Sequence, residues 1–200
     1  RYLDVAGYFD GDRVLFDQDS LQSFQIAQYD NVRQMFIVPL ADYNRLMGEN
    51  ETLAQDEVLL YSTKSEYRYD TITIEGCDTM RVKRIVSEFV DNGVDAMQVI
   101  PSLFIFVPDL QTMENIFDKQ AEIYDDNRSY KHDYYGFDLD CGDETQIAVA
   151  QSISDSIRQL QINDSGFPET SSDSVARERS GFYALYGGLF FLGILLGIVF

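Results

Sequence analysis

Ser102-Leu-Phe-Ile-Phe-Val107, bounded by Pro101 and Pro108, is the most strand-like stretch of this 200-residue chain. A short apolar run between prolines is typical of a buried strand, because a core helix needs a longer run. Asp109 follows at once, and its carboxylate suits the N-cap of a helix. Apolar residues at helical spacing predict that helix: Met113, Ile116, Phe117 and Ile123.

Strand and turn signals precede this strand-helix unit. Asp10-Gly11-Asp12 separates Leu3–Phe9 from Arg13–Phe16 and predicts a hairpin, because Asp-Gly accepts the backbone angles of a tight turn. Gln34–Val38 predicts a buried strand that ends at a proline. Leu40–Met47 then predicts a short helix, which a glycine stops.

The remaining segments complete an α+β pattern. Further strands are predicted at Glu57–Ser62, Thr71–Glu75 and Tyr134–Leu139. Arg81–Phe89 fits a strand or a helix, and the turn-like Glu75–Asp78 before it favours the strand. Strand pairs interleaved with a few helices indicate an α+β domain, with a mixed or antiparallel sheet and helices mainly on one face.

A last helix is predicted after the final strand. Asp143 or Thr145 is the candidate for its N-cap. Its apolar residues recur at helical spacing: Ile147, Ala150, Ile153, Ile157 and Leu160.

The C-terminal run Phe182–Phe200 has nineteen residues and no charge. About 20 apolar residues cross the hydrocarbon core of a membrane, so the run predicts a transmembrane helix. Tyr183 and Tyr186 lie near its start, where aromatic belts meet head groups. Gly193 and Gly197 are four apart, so they share one helix face and permit close helix packing; chance spacing is the alternative.

The predicted organisation has three parts. Residues 1–161 form the α+β domain, residues 162–181 a polar, Ser-rich linker, and residues 182–200 the membrane helix. The first residues are typical of the inside of a domain, not of a signal peptide. We therefore expect the chain to belong to a longer protein at both ends.

The formal net charge of −19 restricts the partners. Binding to nucleic acid needs clustered Lys and Arg, so nucleic acid is not an expected partner. An acidic surface attracts basic peptides and divalent ions over a distance. The alternative is that the acidity only keeps the domain soluble, and this explanation requires no specific partner.

Residues capable of chemistry are few. Cys77 and Cys141 permit one disulfide outside the cytoplasm, and two unpaired, half-buried thiols are the alternative. The only histidine is His132, and no Gly-x-Ser-x-Gly motif accompanies it. No catalytic residue, cofactor or metal is predicted. One acidic cluster resembles a calcium site but lacks the EF-hand order, so it predicts an acidic turn: Asp138, Asp140, Asp143 and Glu144.

Aromatic residues are abundant, with 13 Tyr and 14 Phe but no Trp. A Tyr-rich acidic surface suits peptide or protein binding. Six tyrosines in or beside predicted loops are candidates for it: Tyr61, Tyr67, Tyr69, Tyr130, Tyr134 and Tyr135. The alternative is that most of them pack in the core.

Three segments resemble parts of FtsX-like ABC transporter permeases (MacB/BceB type) of Gram-positive bacteria. Tyr183–Phe200, with Tyr-Gly-Gly-Leu-Phe-Phe-Leu-Gly-Ile-Leu-Leu-Gly, resembles the membrane helix that opens the permease domain. Met35–Asn44 is similar to a strand-then-helix unit of the extracellular loop before that helix. Ala96–Asp109 resembles a strand segment of the same loops.

The resemblance implies a permease subunit in a multi-pass, dimeric transporter of the cell membrane, with this domain extracellular and a separate cytoplasmic ATPase. The domain would bind a substrate or partner outside and couple to ATP-driven helix movement, in transport, efflux or sensing of peptide- or lipoprotein-like substrates. It implies no catalytic residue in the loop. The alternatives are the ectodomain of a single-span receptor or adhesion protein, and a membrane-anchored hydrolase that uses carboxylates.

Overall fold

The computed structural model describes residues 1–15, 32–90, 101–125 and 128–182, with the single positions 186, 190, 194 and 196. It divides into two compact units, Arg1–Tyr135 and Gly136–Phe200. This division precedes the boundary predicted at residue 161.

The first unit contains eight described strands and two described helices. In chain order these are β1 Tyr2–Asp10, β2 Arg13–Leu15, β3 Val32–Pro39, α1 Leu40–Met47, β4 Glu57–Ser62, β5 Thr71–Ile74, β6 Thr79–Ile85, β7 Ser102–Val107, α2 Leu110–Tyr124 and β8 Tyr130–His132.

All eight strands belong to one curled, mixed sheet. The order is β2-β5-β6-β4-β7-β3-β1-β8, and β2 also pairs with β1, so the pairing closes on itself. Three pairs are parallel, namely β3–β7, β4–β6 and β2–β5, and the others are antiparallel. The predicted α+β class with a mixed sheet is therefore confirmed.

β7 lies near the middle of this sheet, parallel to β3 and antiparallel to β4. Successive side chains of a strand point to opposite faces. Leu103, Ile105 and Val107 accordingly enter one buried cluster, which includes Met113 and Ile116 of α2. Every second residue of β7 therefore contributes a buried apolar side chain to this face of the sheet.

The opposite face of β7 builds a second buried cluster. Phe106 packs there against Tyr43 of α1, with ring centroids 4.5 Å apart. The two described helices of this unit thus cover opposite faces of the sheet, and for the described residues the predicted arrangement with helices mainly on one face is wrong. The reason is that β7 and its neighbours are apolar on both faces, so each face needs a cover.

The residues that the sequence predicts at the end of α1 and the start of α2 have these roles in the structure. α1 ends at Gly48, whose φ of +67° is a left-handed conformation that glycine adopts at little cost. α2 begins after Asp109, whose Oδ1 accepts a hydrogen bond of 2.8 Å from the Thr112 amide. The predicted N-cap and helix stop are therefore confirmed.

Both predicted hairpins are also confirmed. β1 and β2 pair through Asp10 and Arg13 around Gly11, and β5 pairs with β6 through Thr73 and Thr79 around Gly76. The strand predicted at Tyr134–Leu139 is wrong. The strand begins four residues earlier, as β8, because Tyr130–His132 lie opposite β1 and find backbone partners there.

The second unit contains the helix α3, Asp143–Asn163, and helical residues 175–182. Gly142 is the N-cap of α3 and makes no side-chain capping bond, so the predicted caps Asp143 and Thr145 are wrong. Asp143 and Glu144 lie instead in the first turn, where carboxylates interact favourably with the helix dipole. The helical residues begin within the segment predicted as a linker.

Within the part of the chain that the structure describes, no helix has the length and apolar character to cross a membrane. Gly193 and Gly197 lie outside the described residues. The membrane helix Phe182–Phe200 and its packing face therefore stay predictions.

Replacing Asp109 tests the cap of α2. Asp109→Ala is expected to lower the free energy of unfolding by about 1 kcal/mol, because the Thr112 amide loses its acceptor. The bond that Gln55 donates to Asp109, followed by those from Thr112, lowers the pKa of the Asp109 carboxyl below its ordinary 3.8. The stabilisation is thus present above pH 3.8 and is lost as the pH falls toward the lowered pKa.

Denaturant titrations of the wild type and the variant at several pH values measure this difference. Asp109→Asn is the matched control, since asparagine caps helices about as well as aspartate. A variant Asp109→Ala as stable as Asp109→Asn would contradict the capping role.

Candidate functional site

Five aromatic rings form a row across one face of the sheet, which we call the aromatic ladder. Its members, from β4, β7, β3, β1 and β8 in that order, are Tyr61, Phe104, Phe36, Tyr2 and His132. Successive ring centroids are 5.8, 4.7, 6.0 and 4.9 Å apart. Aromatic pairs of this kind contribute about 0.5–1.5 kcal/mol each beyond their burial, so the row helps to join five strands.

Strand register explains the ladder. Tyr61 lies opposite Phe104, and Phe104 lies opposite Phe36. At the other end Tyr2 lies opposite His132. Adjacent strands are about 4.8 Å apart, so rings at opposed positions come into contact. The first four rings are half-buried and His132 is exposed, so the row runs from the interior to the surface.

The outer end of the ladder lies at an edge of the sheet. β8 is the last strand in the sheet order and pairs with β1 alone among the described residues. Tyr130 is 72% exposed, and Tyr134 and Tyr135, just beyond β8, are 78% and 80% exposed. An edge strand with exposed aromatic side chains is a template for pairing with another chain.

The two faces of β8 have different surroundings. Lys131 points to the side of α2, where its ammonium pairs with Glu114 and lies 4.4 Å from the centroid of the Phe117 ring. Tyr130 and His132, its neighbours in sequence, point to the other side, as the alternation of a strand requires. The ladder face of β8 is therefore distinct from the face that packs on the helix.

Asp4 of β1 places a carboxylate beside the end of the ladder. It lies opposite Tyr130, and the amide nitrogen of Gln34 donates a hydrogen bond to its Oδ1. The His132 Nε2 is 4.0 Å from its Oδ2. Burial raises the pKa of Asp4 above 3.8, and this outweighs the opposing effects of Gln34 and His132. Burial, followed by the charge of the Asp4 carboxylate, raises the pKa of the Tyr2 hydroxyl.

The segment after β8 is tied to the start of β1. The Arg1 guanidinium forms an ion pair with Asp133, and this contact raises the pKa of Arg1. Tyr134 and Tyr135 therefore follow an anchored residue.

The six tyrosines predicted as a binding surface divide into two groups. Tyr130, Tyr134 and Tyr135 are exposed together at the β8 edge, and Tyr69 is exposed in the loop before β5. Tyr67 is buried, and its hydroxyl donates a 2.5 Å hydrogen bond to the Thr71 carbonyl. Tyr61 belongs to the ladder. The predicted exposure is thus confirmed for the three tyrosines at the β8 edge and for Tyr69, and their role in binding stays a prediction.

A separate cavity of about 300 Å³ lies at the β1–β2 hairpin. Its lining includes Arg33, Arg68 and Glu66, with the rings of Phe9 and Tyr69. Glu66 and Arg68 pair with each other at 3.4 Å. Because opposite charges share this lining, the cavity selects no class of ligand as clearly as the β8 edge does.

Within the described ranges, no group of three or more His, Cys, Asp or Glu side chains is arranged to hold a metal ion. Asp143 of the predicted acidic turn accepts a 2.6 Å hydrogen bond from Arg179. Cys77 is a half-buried free thiol and Cys141 an exposed one, and burial raises the pKa of Cys77. Their disulfide stays a prediction.

Sequence reasoning did not find the ladder, although it found the tyrosines around its end. Phe36 and Phe104 were assigned to strands and to the core, and nothing local shows that their strands are neighbours. The one available signal is that Phe104 and Phe36 occupy corresponding places in similar apolar strands.

Comparison of the chain with protein-family models, curated proteins and solved structures found no match.

The half-buried carboxylate leads to a prediction on stability. Because the pKa of Asp4 is raised in the folded state, the folded protein holds this proton more tightly than the unfolded chain. The free energy of unfolding therefore decreases as the pH rises from 3.8 through the raised pKa of Asp4. Asp4→Asn is expected to abolish this loss and to raise the melting temperature at pH 7.

Thermal unfolding from pH 3.5 to 7 measures the effect. Asp78→Asn is the matched control, since it removes one charge from an exposed position in the β5–β6 turn and is expected to leave stability nearly unchanged. If Asp4→Asn lowers the melting temperature at pH 7, the carboxylate stabilises the fold and the interpretation is wrong.

Proposed function

We propose that this chain is a recognition domain that binds an extended basic segment of a peptide or protein, and that it serves as the outward-facing domain of an FtsX-like ABC transporter permease. One observation carries the first part. The aromatic ladder ends at a strand edge that no described strand covers, beside the half-buried carboxylate of Asp4, in a chain of net charge −19. Aromatic side chains with a few polar groups are the usual content of such interfaces.

The groups at this edge support binding more than chemistry. They are aromatic rings, one carboxylate and one imidazole, and the imidazole is held by stacking on Tyr2. Rings supply contact area at low entropic cost, and a carboxylate selects a basic partner. We therefore assign to this surface the selection of a ligand and not its conversion.

The membrane context rests on the sequence. The uncharged run Phe182–Phe200 and the resemblance of three segments to FtsX-like permeases support it. In that setting the domain lies outside the cell membrane, the permease acts as a dimer, and a cytoplasmic ATPase subunit drives the membrane helices. Ligand binding outside would then alter the helix equilibrium by its differential affinity for two states.

Peptide titration tests the recognition role. The full 200-residue chain in zwitterionic nanodiscs is titrated by calorimetry with a Lys- and Tyr-containing octapeptide, and with the same octapeptide carrying Glu in place of Lys. The basic peptide is expected to bind with 1:1 stoichiometry at 20 mM salt and about tenfold more weakly at 200 mM, because salt screens charge attraction. Absence of binding at 20 mM salt would reject the recognition role.

The complete gene tests the permease role separately. We expect it to encode several further apolar segments of about 20 residues and to lie beside a gene for an ABC ATPase. A gene with one apolar segment would reject the permease and favour the single-span receptor or adhesion protein.

A further inference from the structure

We infer that β8 receives its ligand by strand addition: an extended segment pairs with the open edge of β8, places an aromatic side chain against His132 and directs a basic side chain over Tyr130 toward Asp4. This inference rests on the proposed recognition function and states the site and the binding mode. It involves no residue outside Arg1–Tyr135.

The backbone of β8 is suited to this pairing. β1 occupies one edge of β8, and no described strand occupies the other. In a peptide that adds to a sheet edge, main-chain hydrogen bonds supply affinity and alternate side chains supply specificity. β8 has only three residues, and short edge strands are one way in which natural proteins limit self-association.

The aromatic ladder explains why we expect an aromatic side chain on the added strand. Its rings repeat from strand to strand at centroid separations of 4.7–6.0 Å, and the last ring, His132, has a side chain that is 44% exposed. An added strand would lie about 4.8 Å beyond β8. Its residue opposite His132 would therefore extend the ladder by one ring if that residue is aromatic.

The position of Tyr130 explains why we expect a basic side chain on the added strand. Tyr130 is two residues from His132 and lies on the same face, directly opposite Asp4. A residue opposite Tyr130 on the added strand is two residues from the aromatic one. A Lys or Arg at that place can cross the Tyr130 ring and approach the Asp4 carboxylate, whose burial is only partly compensated by Gln34 and His132.

Charge identifies the occupant as a basic partner and not a second copy of this chain. Two copies would bring together surfaces that each belong to a chain of net charge −19. Like charges in contact oppose association, whereas a basic segment is attracted. The other face of the added strand would meet the side of β8 that carries Lys131, which is already paired with Glu114, so uncharged residues fit there.

The probe is the blocked octapeptide Thr-Tyr-Thr-Lys-Thr-Tyr-Thr-Lys, which presents Tyr and Lys on one face of a strand and Thr on the other. Binding to the full chain in zwitterionic nanodiscs is followed by fluorescence anisotropy. Tyr130→Ser, His132→Ala and Asp4→Asn are each expected to raise Kd by about five- to twentyfold, as losses of single contacts typically do. The matched controls Tyr69→Ser and Asp78→Asn are expected to change Kd less than twofold.

Two N-methylated versions of the probe test the strand geometry directly. One carries N-methyl groups at the four Thr residues and the other at the Tyr and Lys residues. Alternate amides of an added strand point toward β8 and the rest point away, so only one version should lose binding. Attraction by charge alone would treat both versions alike.

The outcomes separate this inference from the proposed function. If the unmodified probe binds but both N-methylated versions bind equally and the β8 variants match the controls, strand addition is wrong and the recognition role stands. If the unmodified probe does not bind at low salt, both are wrong. A dimer of the full chain in sedimentation that Tyr130→Ser dissociates would identify a second copy as the occupant and overturn the inference.

Discussion

The pairing of β7 with β3 on one side and β4 on the other is the constraint on which the first unit depends. β7 is apolar at nearly every position, so it must be covered on both faces. Leu103 and Ile105 build the core under α2, and Phe106 builds the core under α1. A strand of this kind cannot lie at an edge or face water, because half of its side chains would be exposed. The curled sheet, with one of the described helices on each face, follows from that requirement.

The candidate binding surface arises from the same pairing. Phe104 of β7 connects the rings of Tyr61 and Phe36, so the ladder crosses the sheet through its central strand. The row then reaches the surface at His132, where the sheet ends and a carboxylate is only partly compensated. The same row of aromatic contacts thus contributes to the packing of the sheet and to the candidate binding surface. Its inner rings support the fold, and its outer ring lies where a ligand can approach.

Local signals predicted most elements of the first unit correctly. The Leu40–Met47 helix, its glycine stop and the Asp109 cap depend on residues adjacent in sequence, and the structure confirms them. Two kinds of prediction about the sheet and its cover were wrong. The strand at Tyr134–Leu139 had suitable residues but no partner strand, and the one-sided helices assumed a sheet with one apolar face. The ladder was not predicted, because strand order brings Phe36 and Phe104 together across a long separation in the chain.

By itself, the sequence determined the acidic charge, the short periodic elements, the turns and the uncharged C-terminal run, since each depends on composition or on near neighbours. The tertiary structure alone decided which strands pair and in which register. That choice placed Tyr2 against His132 and left the Asp4 carboxylate half-buried beside them. Such contacts form between residues distant in sequence and are selected by the joint burial of both sheet faces, which no local pattern encodes.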